Sequence, residues 1–208
     1  MVFYGIICKV GLETKRSDAI VFNIGDKVVY PMHGAGTIEN IEEKDILGEK
    51  QNYYIIKMPG EVKVMVPTAK AESIGVRDII DKETASKVFE VLETDSTEMS
   101  VNWNKRYRDN MDKMKSGDAC EIADVVRNLS FKQKEKGLST GEKKMLLNAK
   151  QILISELTLA NNTDKAEMEE LVNAKINESF TEYTKVNNIE QTENIVKKFI
   201  PFNEDTNV

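Results

Sequence analysis

Side chains that can attack a substrate, shuttle protons or hold a metal are few in this sequence, and they are scattered. His33 is the lone histidine, and Cys8 and Cys120 are the only cysteines. A Ser/His/Asp or Cys/His arrangement has little to draw on here, because His33 follows Pro31-Met32 and precedes Gly34-Ala35-Gly36, a run that reads as a turn at a strand end. The cysteines lack neighbours at metal-ligand spacing, so no metal, cofactor or disulfide framework is expected, and a reducing compartment fits. Gly34 and Gly36 resemble the first half of a dinucleotide fingerprint, but the third glycine is missing and a strand-like segment follows. The carboxylate pairs Glu42-Glu43 and Glu169-Glu170 read as solvated faces. Neither catalysis nor a small-molecule substrate is expected.

Residue types that do combine stand at 102–110, "NWNKRYRDN", around the sole tryptophan, Trp103. On a helix, Trp103, Tyr107, Met111 and Met114 form an apolar stripe, while Lys105, Arg108 and Lys115 lie off it, placed to track a phosphate backbone. Two readings stand side by side. In one, Trp103 begins an ordinary core stripe; in the other, an indole at the first turn projects between cations, as insertion into or stacking on a nucleic acid requires. A second basic group, Arg127, Lys132, Lys134, Lys136, Lys143 and Lys144, surrounds a helix junction. There a helix beginning at Ser139 offers a partial positive charge and free amides to a phosphate; a solvated lysine face is the alternative.

The charge distribution agrees with a local polyanion site. The 208-residue chain carries a net −6, yet residues 102–150 hold 12 Lys or Arg against 7 Asp or Glu, so a basic middle lies between acidic flanks. No stretch approaches ~18 consecutive apolar residues, and no membrane span is expected. Residues 1–12, "MVFYGIICKVGL", lack the basic start and small-residue end of a signal peptide.

These residues must be positioned by two kinds of element. From Phe22 to Pro67, four Val-, Ile- and Tyr-rich segments (24–31, 36–43, 52–58 and 61–67) alternate with glycine turns, which predicts a small, strongly bent barrel. Beyond Gly75 the period becomes about 3.6, predicting helices over 82–93, 99–116, 118–136, 139–160 and 163–180. Capping boxes are expected at Asp118/Glu121 and Ser139/Glu142, and a glycine C-cap at Gly137. The fold class is therefore α+β and multi-domain. Its parts are an extension without assigned role (1–20, with Val21 a candidate natural start), a barrel (21–72), an all-α helical bundle (76–180) and a polar tail (181–208).

Together "FNIGDKVVYPMHGAGTIENIEEKDILGE", "VMVP", "GVRDII", "NWNKRYRDNMDKMKSGD", "IADVVRNLS" and "KGLSTGEKKMLLNAKQILISEL" resemble the CarD-like (CdnL) bacterial transcription regulators over roughly residues 22–175. The resemblance implies a Tudor-like (SH3-like) barrel that docks on the β subunit of RNA polymerase. It also implies a helical domain that contacts promoter DNA, with Trp103 as a minor-groove wedge at the upstream edge of the transcription bubble. The DNA-binding residues expected are Trp103, Lys105, Arg106, Arg108, Lys132, Lys143 and Lys144. Those expected at the polymerase are Lys44, Ile46, Val64, Met65 and Pro67, with Met65 standing where some relatives carry an arginine. A cytoplasmic protein, drawn to the nucleoid through polymerase, follows from that likeness. Two other classes stay open: an interaction adaptor with Trp103 in its core, and a reader of methylated side chains using Tyr30, Tyr53 and Tyr54, though Tyr53 and Tyr54 point to opposite faces of a strand.

Overall fold

The computed structural model describes residues 22–46, 48–60 and 62–199, so the expected extension 1–20 and the last residues of the expected tail lie outside the described residues. Five antiparallel strands come first: β1 (Lys27–Tyr30), β2 (Gly34–Ile46), β3 (Glu49–Lys57), β4 (Lys63–Pro67) and β5 (Arg77–Asp78). They lie in the order β4-β3-β2-β1-β5. A bulge between Ile38 and Asn40 breaks the β2–β3 register, and bulges of this kind bend a strand and sharpen its twist. The bent sheet folds around one core of Phe22, Val28, Ile38, Tyr54, Ile56 and Val66. Beyond the bulge β2 is largely exposed, so the far end of the β2–β3 hairpin runs past that core and carries Ile41, Lys44 and Ile46 into solvent.

β5 is a strand that periodicity did not reveal. It follows a 3-10 turn (Thr68–Lys70) and a short helix, α1 (Ala71–Ile74), and returns to pair with β1 through Val29↔Arg77.

The helical part is built from α2 (Lys82–Glu93), α3 (Trp103–Ser116), α4 (Ala119–Glu135), α5 (Thr140–Asn161) and α6 (Lys165–Phe199). Helix α3 begins at Trp103 and not near 99, because the Asn102 side chain accepts from the Lys105 amide and stops the helix there. Helix α6 continues past residue 180, where the polar sequence left a short helix and a flexible tail both open. Polar, helix-permissive residues extend it even though their apolar pattern is weak. At the α4–α5 junction Gly137 has φ +78°, and Ser139 with Glu142 forms the complete capping box. Asp118 caps Cys120 and Glu121 through its own carboxylate. The bundle core packs Val88 and Leu92 of α2, Val126, Leu129 and Phe131 of α4, Ile152, Leu153 and Leu157 of α5, and Val172 of α6, all at most 1% exposed. Burying each such side chain contributes roughly 1.5–3 kcal/mol.

Helix α5 also joins the two parts. Its Ser155 hydroxyl accepts from the Ala35 amide at 2.8 Å. Glu156, fully buried, takes two bonds from the Arg77 guanidinium at 2.6 and 3.1 Å and one from the Ile80 amide at 3.0 Å. The same guanidinium donates to the Gly117 carbonyl at 2.6 Å, and Lys27 donates to the Leu159 carbonyl at 2.9 Å. This contact accounts for the glycines that resembled a nucleotide loop. A Cβ at Gly34, where φ is +101°, would stand 2.5 Å from Ser155 Oγ. One at Gly36 would stand 2.5 Å from the Lys57 carbonyl of β3. Both positions serve close approach between elements.

Candidate nucleic-acid interface

Helix α3 turns a different face inward from the one its hydropathy suggests. Arg106, Asn110 and Met114 are its buried residues, whereas Tyr107 and Met111 are half-buried and Trp103 is 44% exposed. The core reading of Trp103 therefore fails. Its ring stacks on Tyr107 with centroids 5.3 Å apart, and its indole N–H donates to Ser139 Oγ at 3.0 Å. A Cβ at Gly141 would be in ordinary contact, 3.6 Å, with both Trp103 Cζ2 and Tyr107 Cε2, so the first turn of α5 lies beside both rings. Next to the indole, Val101 is 96% exposed.

Arg106 was expected at DNA, and its place in the structure corrects that expectation. It is 8% exposed, donates from Nε to Glu142 Oε1 at 2.7 Å, and donates from one terminal nitrogen to the Ser100 and Val101 carbonyls at 2.7 and 3.1 Å. Five donors and a carboxylate partner make burial tolerable, so the cation serves the interior. Arg127 turns inward likewise, to the Val91 carbonyl, Thr94 and Asp124, and leaves the basic surface. Burial lowers its pKa, against the opposing pull of Asp124.

The other expected cations stay outside. Lys105, Arg108 and Lys115 on α3 are exposed, as are Lys143 and Lys144 on α5, while Lys132 is half-buried. Lys134 departs toward α6, donating to Asn177 at 2.6 Å and standing over the Phe180 ring at 4.6 Å. The free amides expected at the start of α5 are partly taken. Ser139 N–H donates to Glu142 Oε2 and Glu142 N–H to Ser139 Oγ. Burial would raise the Glu142 carboxyl, but bonds from the Ser139 amide, Arg106 and the Ser139 hydroxyl outweigh it and hold the pKa below the ordinary value.

On the sheet, β4 is an edge strand, with a neighbour on one side only. Met65 is 53% exposed and Ile46 41%, Val64 packs partly against the sheet's core, and Pro67, which cannot donate, ends the strand. Lys44 lies on the projecting hairpin, paired with Glu42 at 2.6 Å in an exposed contact that contributes little to stability. Tyr53 and Tyr54 are both buried, so they do not form a cage open to solvent. His33 sits in a turn against Tyr30, and burial, then Asp118, pushes the Cys120 thiol upward. Among the described residues no metal-binding cluster occurs, and no helix is long and apolar enough to cross a membrane.

Sequence reasoning missed Ser139 and Glu142 as partners of the indole and of Arg106. The capping box was the available signal. It also missed Glu156, whose place within the apolar run "QILISELTLA" is the mark of a charge that must find a buried partner.

Two family models match in sequence: CarD-like/TRCF RID domain over residues 22–80, and CarD, C-terminal domain over residues 87–173. A sheet domain and a helical domain of these kinds, in this order, are the build of a CarD-like transcription regulator. The chain belongs to that family. It is 46% identical over 138 residues to "Putative transcription factor YdeB" of Bacillus subtilis (strain 168), a match that takes in 66% of this chain and 90% of that protein. Transcription regulation is thus the role the family brings, and the family is not known for catalysis.

Proposed function

We propose that this protein binds the β subunit of RNA polymerase through its sheet domain and promoter DNA through its helical domain, and that it stabilises the open promoter complex. Lys44, Ile46, Val64, Met65 and Pro67 make the polymerase contact, in which strand β4 adds main-chain hydrogen bonds to a partner strand. Trp103 enters the minor groove at the upstream edge of the bubble. Lys105 and Arg108 hold the phosphate backbone beside it, and Lys132, Lys143 and Lys144 extend the contact from the α4–α5 junction. The observation that carries this reading is the sole indole, 44% exposed at a helix start flanked by exposed cations.

The mechanism is differential affinity. A wedge that fits unpaired or partly unstacked DNA binds the open complex better than the closed one and shifts the population toward it. Stacking worth ~1–3 kcal/mol corresponds to roughly five- to 150-fold in that equilibrium. The test is open-complex lifetime on a bacterial promoter, with polymerase alone, with the protein, and with Trp103→Ala. The protein lengthens the lifetime, and Trp103→Ala retains polymerase binding but loses most of the gain. An unchanged lifetime in a folded Trp103→Ala variant refutes the wedge. Polymerase binding without any effect on lifetime leaves an adaptor.

A further inference from the structure

Four side chains, the indole's own among them, form one connected network. Trp103 N–H donates to Ser139 Oγ at 3.0 Å, Ser139 Oγ donates to Glu142 Oε2 at 2.8 Å, and Glu142 Oε1 accepts from Arg106 Nε at 2.7 Å. Arg106 then reaches the Ser100 and Val101 carbonyls, which belong to the segment leading into the helix that carries Trp103. Glu142 and Arg106 are 2% and 8% exposed, so the inner half of this chain is shielded from water, where hydrogen bonds polarise one another and hold geometry. The stacked Tyr107 ring and the close approach of Gly141 bound the indole on the protein side.

We infer that Ser139, Glu142 and Arg106 are positioning residues that hold the Trp103 indole in one preset orientation, with its polar edge turned to the protein and its free face outward. This rests on the wedge reading and deepens it. Because Ser139 occupies the only donor of the ring, Trp103 offers DNA no hydrogen bond. The minor groove presents acceptors, adenine N3 and thymine O2, that a free indole N–H could read. A clamped indole instead inserts by shape and stacking, which every base step accepts. The ordering of a bulky side chain is met on folding, so it is not charged against DNA binding.

A tryptophan that is unique in the chain makes the clamp measurable without DNA. Steady-state and time-resolved fluorescence anisotropy of the full chain report indole mobility, and open-complex lifetime reports its use. Ser139→Ala lowers the anisotropy and shortens the lifetime about three- to tenfold, the range one hydrogen bond spans. Ser139→Thr keeps the hydroxyl and restores both. On a Trp103→Ala background, Ser139→Ala shortens the lifetime no further, since the hydroxyl acts only through the ring. Losing a helix cap alone would persist on that background, so an equal effect there overturns the proposal. Unchanged anisotropy in Ser139→Ala overturns it as well. Should Trp103→Ala leave the lifetime of the complex untouched, the wedge fails, while the anisotropy still decides whether the clamp exists.

Discussion

Replacing Glu156 with alanine tests how the two domains are held together. The carboxylate is fully buried and serves three donors, two from Arg77 and one from the Ile80 amide. Removing one partner of a buried ion pair costs about 3–5 kcal/mol. Arg77 is 32% exposed and keeps its bonds to the Gly117 carbonyl, so water can take over part of the lost partnership. The cost therefore falls near the lower end, about 3 kcal/mol, with the orphaned Ile80 amide included. In urea, an m-value of about 2 kcal/mol per M turns that into a midpoint lower by roughly 1.5 M. Glu156→Gln keeps the side-chain volume and an acceptor for Ile80, and loses about half as much. Unfolding is followed by far-UV circular dichroism and by Trp103 fluorescence, which together cover both ends of α5. A Glu156→Ala midpoint within about 0.3 M of the parent refutes the reasoning, since it would mean that this junction adds nothing beyond what solvent supplies.

Two further outcomes are expected. Lys105→Ala or Arg108→Ala weakens promoter binding and makes its log–log salt slope shallower by about 0.9, the signature of one lost phosphate contact. Lys113→Ala, whose cation is paired with Asp124 at 2.5 Å, leaves the slope unchanged; a slope indifferent to Lys105 and Arg108 would remove them from the backbone contact. Gly36→Ala forces a methyl group to within 2.5 Å of the Lys57 carbonyl and destabilises by about 2 kcal/mol, lowering the melting temperature by roughly 4–8 °C in calorimetry. An unchanged melting temperature would show that β2 and β3 part without cost.

Much of the fold was legible because local chemistry and global packing agree. Glycine turns bracketed β1 to β4, and the caps at Asp118, Ser139 and Gly137 marked the ends of α4 and the start of α5 to within a residue or two. Failures occurred where polar groups are buried by partnership. The resemblance put Arg106 at DNA, but pairing with Glu142 brings it inside, and α3 buries Arg106, Asn110 and Met114 while Trp103 stays toward solvent. Such pairing joins residues 36 apart, a relation no periodicity contains. The same reason hid the Arg77–Glu156 junction, 79 residues apart, and the return of β5 to β1. Beyond residue 180 the weak apolar pattern left a short helix and a tail equally open, because helix propensity can sustain a helix without an apolar stripe.

Helix α5 carries a further consequence. Near its C-terminal end Ser155 and Glu156 grip the sheet domain, and at its N-terminal end Ser139 grips the indole. At a rise of 1.5 Å per residue those grips stand about 24 Å apart along the axis, close to the length of seven stacked base pairs at 3.4 Å each. In the proposed complex a rigid strut of that length acts as a gauge: the sheet domain anchored at one end dictates how far along the duplex the other end can touch. Its calibration is quantised by the helix itself. Inserting or deleting one residue changes the reach by only 1.5 Å but swings Ser139 through about 100°. Length in α5 is therefore tied to rotation, and the gauge can be reset without tearing the indole from its hydroxyl only in steps near a whole turn.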